Sequence, residues 1–407
     1  MCARSLFLKS RSFWAAAVLI GAIGVPTVRA DSDDDDRKAN LSRIVVVGDS
    51  LSAGFQNFSL FDSDSAPGLP PGGQKHGYAA LVAQQAQADL KLPLISFPGI
   101  PQALVLNAGQ ITRFPGLPGL RENPAQQTYN LSVPGFTVAD VLARPFPGNP
   151  AGNAIDAMSD SILALPGNAV PGCGPLPVST TQLIVSEITC AVALKPTTVL
   201  VSIGNNDALQ GLTQGLPPTP PLVFAAQYAV MLAKLASTRA SIVVSNIPDV
   251  TSIPFLIPVP AFVATCGVAR LPFGATAADF IVPDLSSATF DVCFAPSLRK
   301  AAFIAQLHAA VASYNQIINF EAKLFHAVVV DVNGVFSNIA LHGYRVGSKT
   351  LTAAYLGGIF SLDAIHPTNT GYAILANETI KTMNQRLDTE IPLVSVPQVA
   401  STDPLVF

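Results

Sequence analysis

Four stretches of the chain are apolar on consecutive residues rather than on alternate ones: 43–47 (RIVVV), 197–203 (TTVLVSI), 241–247 (SIVVSNI) and 327–332 (AVVVDV). A strand with one wet face alternates, whereas a strand that is apolar throughout is covered on both faces. Helical periodicity separates these runs. Phe224, Tyr228, Met231 and Leu235 mark one helix face, and Ile304, Leu307, Val311, Tyr314 and Ile318 mark a longer one. Tyr78 to Leu90 and Gly371 to Leu387 also read as helices, and Leu104 to Asn107 and Thr128 to Val133 as short strands. Strands alternating with helices predict an α/β fold built on a mostly parallel sheet with helices on both faces.

The chain has 407 residues, of which 49% are hydrophobic and only 12% charged. A typical soluble domain is about 25% charged, so much of this chain must be buried. The first 30 residues account for part of the bias. Arg4, Lys9 and Arg11 precede an apolar stretch from Phe13 to Val25, and Val28-Arg29-Ala30 offers a cleavage site. That pattern predicts a secretory signal peptide over 1–30, cleaved after Ala30, and a secreted or periplasmic protein. Residues 31–42 follow as an acidic, solvated leader carrying Asp31 and Asp33 to Asp36. No basic patch favours nucleic acid. Beyond the signal no uninterrupted apolar run is long enough to span a membrane. Ile253 to Val268, broken by Pro254, Pro258 and Pro260, reads as an apolar loop.

The 34 prolines concentrate in long irregular insertions: 56–77, 97–127, 144–196, 210–221 and 251–297. The predicted organisation is one elaborated domain over 43–390, with 391–407 as a C-terminal tail. Cys2 leaves with the signal, and Cys173, Cys190, Cys266 and Cys293 remain. Four cysteines allow three pairings. The local one, Cys173–Cys190 with Cys266–Cys293, is favoured because each pair flanks one irregular stretch. No spacing suggests a metal site, and no cofactor is expected.

Polar residues stand where the apolar runs end. Gly48-Asp49-Ser50-Leu51 follows the first, so a sharp strand-to-helix turn would hold the Ser50 hydroxyl at the carboxyl edge of the sheet. The plain alternative is a turn whose serine caps the next helix. Asp363-Ala-Ile-His366-Pro367 places a carboxylate three residues before a histidine, close enough to hold one ring nitrogen and orient the other. Gly204-Asn205-Asn206-Asp207 follows the second run, where Asn206 could donate to a developing oxyanion; ordinary turn chemistry is the alternative. In Asn130 to Thr137, Gly135 permits close backbone approach and supplies a further amide.

These blocks, in this order and at strand ends, resemble the GDSL/SGNH hydrolases, secreted lipases and esterases with a flavodoxin-like three-layer sandwich. The resemblance runs from residue 43 to about 387. It implies Ser50 as nucleophile, an Asp363–His366 pair as base, and Ser50, Gly135 and Asn206 as oxyanion donors. Asp49 is assigned a structural part, because a carboxylate cannot donate to an oxyanion. The long insertions depart from the family's minimal pattern, so a substrate does not carry over. The expected activity is a serine ester hydrolase using an acyl-enzyme on small, lipid-type esters. Carbohydrate deacetylation, acyl transfer and a non-catalytic binding role are the alternatives. The apolar segments Leu216 to Val223 and Tyr355 to Leu362 suit the walls of an acyl site, with core packing over the sheet as the alternative.

Overall fold

The structure is a computed structural model that describes residues 38–63, 72–144, 153–164, 173, 186–285 and 290–407. The expected signal peptide and residues 31–37 of the acidic leader lie outside the described residues. Eleven strands occur among these, in chain order β1 (Ile44–Gly48), β2 (Leu104–Asn107), β3 (Gln110–Arg113), β4 (Thr198–Ser202), β5 (Ser241–Ser245), β6 (Ile257–Pro258), β7 (Phe280–Val282), β8 (Ser297–Arg299), β9 (Val328–Val330), β10 (Tyr344–Val346) and β11 (Lys349–Leu351). The helices are α1 (Ser50–Ala53), α2 (Tyr78–Gln85), α3 (Val138–Ala143), α4 (Ala154–Leu163), α5 (Glu187–Ala193), α6 (Asn206–Gln214), α7 (Pro221–Ala236), α8 (Val259–Cys266), α9 (Ala301–Leu324), α10 (Val332–His342), α11 (Asn369–Arg386) and α12 (Val396–Thr402).

The four consecutive-apolar runs supply the central sheet, β1-β4-β5-β9, and every pairing in it is parallel. β1 and β4 are buried at every residue, which is why their sequences do not alternate. Residues 129–133 lie along the other edge of β1. Val46 N donates to Tyr129 O at 2.8 Å, Leu131 N to Val46 O at 3.0 Å, and Val133 N to Gly48 O at 3.1 Å. The spatial order is therefore 129–133, β1, β4, β5, β9. The chain leaves β1 in one direction and later returns to its other side, a switch point of the flavodoxin kind. Ligands in such sheets bind at the carboxyl ends beside that point.

Helices cover both faces. α2, α10, α11 and α12 pack together on one side, and α3, α5, α7 and α9 on the other. The predicted helix stripes are core: Phe224, Tyr228, Met231 and Leu235 are buried on α7, and the Tyr314 ring of α9 stacks on Phe224 with centroids 4.2 Å apart.

Several segments differ from the sequence reading. Leu104 to Asn107 is a strand, but it forms an antiparallel hairpin with β3 outside the main sheet. A four-residue apolar run does not say which sheet it joins. Ile253 to Val268 is not all loop: it holds β6 and α8. Pro258 and Pro260 sit at the start of α8, where a missing N–H costs nothing. β6, β7 and β8 form a small antiparallel sheet. The disulfides, by contrast, are the favoured local pairs: Cys266, at the end of α8, with Cys293, and Cys173 with Cys190 on α5. The acidic leader does not extend to residue 42, since Ala39 is buried and its amide donates to Leu387 O at 3.0 Å. Residues 391–407 are not a free tail either. Ile391, Val394, Val396, Ala400 and Leu405 are buried, α12 packs on α11, and the Asp403 carboxylate accepts from Thr370 N at 2.8 Å and Thr370 Oγ1 at 2.7 Å. Among the described residues no helix is long and apolar enough to cross a membrane.

Candidate active site

β1 ends at Gly48, and the chain turns at once into α1. Gly48 passes so close to β4 that a Cβ there would meet Ser202 O. Asp49 caps α1, its Oδ1 accepting from Leu51 N at 3.1 Å. The helix cap is thus the aspartate and not the serine, which leaves the Ser50 hydroxyl uncommitted. Asp49 Oδ2 accepts from Asn205 Nδ2 at 2.8 Å, tying this turn to the one after β4. Burial pushes the Asp49 carboxyl up to about 6, against the opposing pull of Asn205 and Leu51.

Asp363 organises the second piece. Its Oδ1 accepts from His366 N at 2.8 Å, Ile365 N at 2.9 Å and Ser361 Oγ at 3.1 Å. Its Oδ2 lies 2.9 Å from His366 Nδ1 and accepts from Phe58 N at 2.6 Å. Burial opposes the charge, but His366 and these hydrogen bonds outweigh it and hold the Asp363 carboxyl below its ordinary value. An ionised carboxylate can only accept, so the Nδ1 proton stays on His366 and Nε2 is left as the basic nitrogen. The Phe55 ring packs on the imidazole with centroids 4.8 Å apart.

The third piece lies after β4 and after residues 129–133. Asn206 opens α6, and its Nδ2 donates to Phe136 O at 2.9 Å. Asp207 Oδ2 accepts from Val138 N at 3.1 Å, so the two loops are joined twice. Gly135 has φ +89°, and a Cβ there would sit 2.8 Å from Ile155 Cδ1. The left-handed φ strains any L side chain here, and a β-carbon would also have to push Ile155 aside.

Ser50, Gly135, Asn206 and His366 all line one cleft of about 690 Å³, with Asp363 buried behind His366. Among the described residues no hydrogen bond joins Ser50 to His366; catalytic hydrogen bonds often tighten only with substrate bound. A second, smaller recess of about 40 Å³ also has Ser50 and His366 in its wall. The cysteines lie outside both lining sets, as disulfide partners, and no group of three or more metal-binding side chains occurs among the described residues. Two bonded pairs fit an oxidising compartment.

The expected walls are only partly the real ones. Leu216 to Val223 lines neither space, and Tyr355 to Leu362 contributes only Phe360, to the recess. The large cleft is walled instead by Phe55, Phe58, Ile155, Met158, Phe255 and Val282, contributed by segments far apart in the chain. Sequence reasoning missed Phe58, whose amide holds Asp363, and Asn205, which holds Asp49. Asn205 was in view as the neighbour of Asn206 within a polar turn. Phe58 carries no signal, because its contribution is a backbone N–H. His308, on α9, lies outside the site and pairs with Asp249 at 2.9 Å on the surface.

A family model described as GDSL-like Lipase/Acylhydrolase matches residues 44–379. The chain belongs to this family. It is an ester-bond hydrolase of the GDSL type, and the match spans the sheet and all the site residues described above. No curated protein matches this GDSL hydrolase. Solved structures similar to it include LAE5, an alpha/beta hydrolase from the metagenome of Lake Arreo, at 16% identity and TM-score 0.39, covering 86% of this chain and 98% of that one. Axe2, an acetylxylan esterase from Geobacillus stearothermophilus, is 13% identical with TM-score 0.39 and coverages of 88% and 99%. TesA is 14% identical with TM-score 0.35 and coverages of 84% and 99%. Overlays this loose carry no argument about substrate.

Proposed function

We propose that this GDSL hydrolase is exported and cleaves apolar carboxylic esters through a Ser50–His366–Asp363 triad and an acyl-enzyme intermediate. The observation that carries the reading is the convergence of Ser50, Gly135, Asn206 and His366 on one cleft at the switch point, with Asp363 fixing the His366 ring from behind. His366 Nε2 takes the Ser50 proton as the oxygen attacks the ester carbonyl. The Ser50 and Gly135 amides and the Asn206 side chain receive the charge that develops on the carbonyl oxygen. One such donor is typically worth ~2.7–4 kcal/mol in the transition state. The Asn206 amide already spends one hydrogen on Phe136 O, which fixes its plane and leaves the second for the oxyanion. His366 then gives its proton to the leaving alcohol, and water repeats the sequence to release the acid.

The aromatic and aliphatic cleft walls favour a lipid-type ester over a hydrated sugar. Export rests on the leader pattern and on the paired cysteines. The test is a panel of aryl esters and acetylated xylan, run with the protein and with Ser50→Ala, beside covalent labelling by a fluorophosphonate. Turnover of the aryl esters and labelling of the parent chain, both lost in Ser50→Ala with the fold retained, are the expected results. Full activity in Ser50→Ala, or no labelling of the parent chain, sinks the assignment.

A further inference from the structure

The recess and the large cleft share Ser50, His366, Leu209 and Ile365, but Gly135 and Asn206 belong to the cleft alone. The nucleophile therefore sits between two spaces of very different size, about 40 Å³ and about 690 Å³. The recess is walled mainly by hydrocarbon, from Leu209, Val250, Ile253, Phe336, Phe360 and Ile365; of the polar side chains in its wall, Asn205 Nδ2 donates to Asp49 and Ser252 Oγ to Asp249 O. Its one charged residue is Asp249, whose carboxylate is already engaged. Oδ1 accepts from Thr251 N at 2.9 Å and Thr251 Oγ1 at 2.6 Å, and Oδ2 lies 2.9 Å from His308 Nδ1. A hydroxylated or charged group would find few partners there, whereas an alkyl chain would lose none.

Size narrows the occupant further. A space needs roughly 10–15 Å³ on this measure to hold one water, so the recess takes about three water-sized groups. That matches an acyl chain of roughly two to four carbons. Phe336 on α10 and Phe360 stack at 5.6 Å between centroids and 22° between planes, and both are buried. A stacked, close-packed pair cannot retreat without repacking the helix behind it.

The order of events assigns the two spaces. In the mechanism above the alcohol departs first and must diffuse away, while the acyl group stays bonded to Ser50 until water arrives. The departing group suits the large cleft, and the retained one suits the recess. We infer that the recess is the acyl-chain site, that the Phe336–Phe360 stack limits its length, and that the substrates are esters of short alkanoic acids with a larger alcohol. This rests on the serine-hydrolase reading and adds to it which part of the ester goes where.

The test measures kcat/KM for 4-nitrophenyl esters of two, four, six, eight and twelve acyl carbons. The proteins are the full chain, Phe336→Ala and Phe336→Leu. The parent should peak at two to four carbons and fall at least tenfold by eight, since one methylene that does not fit costs about tenfold or more. Phe336→Ala should raise the eight-to-four-carbon ratio at least tenfold, and Phe336→Leu by a smaller factor if the alanine variant does not fold. Butyrate esters of progressively larger alcohols should be ranked alike by all three proteins. A parent optimum at eight carbons or longer overturns the inference. So does an unchanged ratio in a variant that still takes the fluorophosphonate at Ser50, or a change confined to the alcohol series. If no ester turns over and Ser50 does not label, the serine-hydrolase reading itself fails, an outcome distinct from these.

Discussion

Exchanging Asp49 for asparagine removes a buried charge from the Ser50 turn while keeping the shape of the side chain. Asp49 is fully buried, and burial raises its carboxyl from 3.8 to about 6 in spite of the hydrogen bonds from Asn205 and Leu51. A raised carboxyl pKa means that the folded chain holds the proton more tightly than the unfolded chain does. The stability this group supplies is complete below about pH 3.8 and is lost as pH climbs through about 6. Two pK units at about 1.4 kcal/mol each make that loss roughly 3 kcal/mol at pH 8. Asparagine escapes it. Its new amide can meet Asn205 Oδ1, which is buried without a partner, if the Asn205 side chain turns over. That flip leaves one donor unpaired, at about 1 kcal/mol. Asp49→Asn should then be about 2 kcal/mol more stable than the parent at pH 8 and about equal to it at pH 4.5. For a domain of roughly 370 residues this is a rise in Tm of about 2–3 °C at pH 8. Calorimetry at the two pH values measures it. Equal destabilisation at both would refute the reasoning, because it would mean that the carboxylate is ionised in the fold without penalty.

Gly135→Ala forces a β-carbon against Ile155 at a φ of +89°, and should lower kcat by roughly 10²–10³ with KM little changed. Adding Ile155→Ala removes the contact but not the backbone strain, so steady-state kinetics should show only partial recovery. Cys266→Ser opens a bridge of sequence separation 27, worth up to about 3.5 kcal/mol by loop-closure entropy. Chymotrypsin should then cut faster at Phe273, which is fully exposed, and mass spectrometry of the first fragment reads the site directly.

The parts of the molecule legible in sequence are those whose physics is local. A strand buried on both faces writes its state in consecutive residues, so β1, β4, β5 and β9 were readable. So was the position of Ser50 and Asn206 at the ends of such runs and of His366 just before α11. Thr128 to Val133 reads as a short strand, yet it runs beside β1 with only an isolated parallel bridge at Asn130. Gly48 N, which would extend that pairing, donates instead to Glu187 Oε1 at 2.6 Å. Glu187 is 139 residues away in the chain, and nothing near Gly48 announces it. Prolines in 253–268 were read as breakers because their usual effect is to interrupt helices, but at the first turn they start one. The cleft walls were the least legible feature. Leu216 to Val223 is adjacent to Asn206 in sequence and still faces elsewhere, while Ile155 and Val282 arrive from remote insertions. Apolar character predicts burial against something, and tertiary packing decides against what.

Asp403 bears on when the site can exist at all. Its carboxylate accepts the amide and hydroxyl of Thr370 in the first turn of α11, four residues beyond His366. An acidic group there also meets the positive end of the helix. During synthesis the Ser50 turn and the loops bearing Gly135 and Asn206 emerge well before residue 403. The helix that follows the base loop receives its anchor only after residue 403 has left the ribosome. A growing chain therefore carries Ser50, the proposed nucleophile, long before the loop bearing His366 is fully secured. Competence for catalysis arrives late, as a consequence of where in the message the anchor is written.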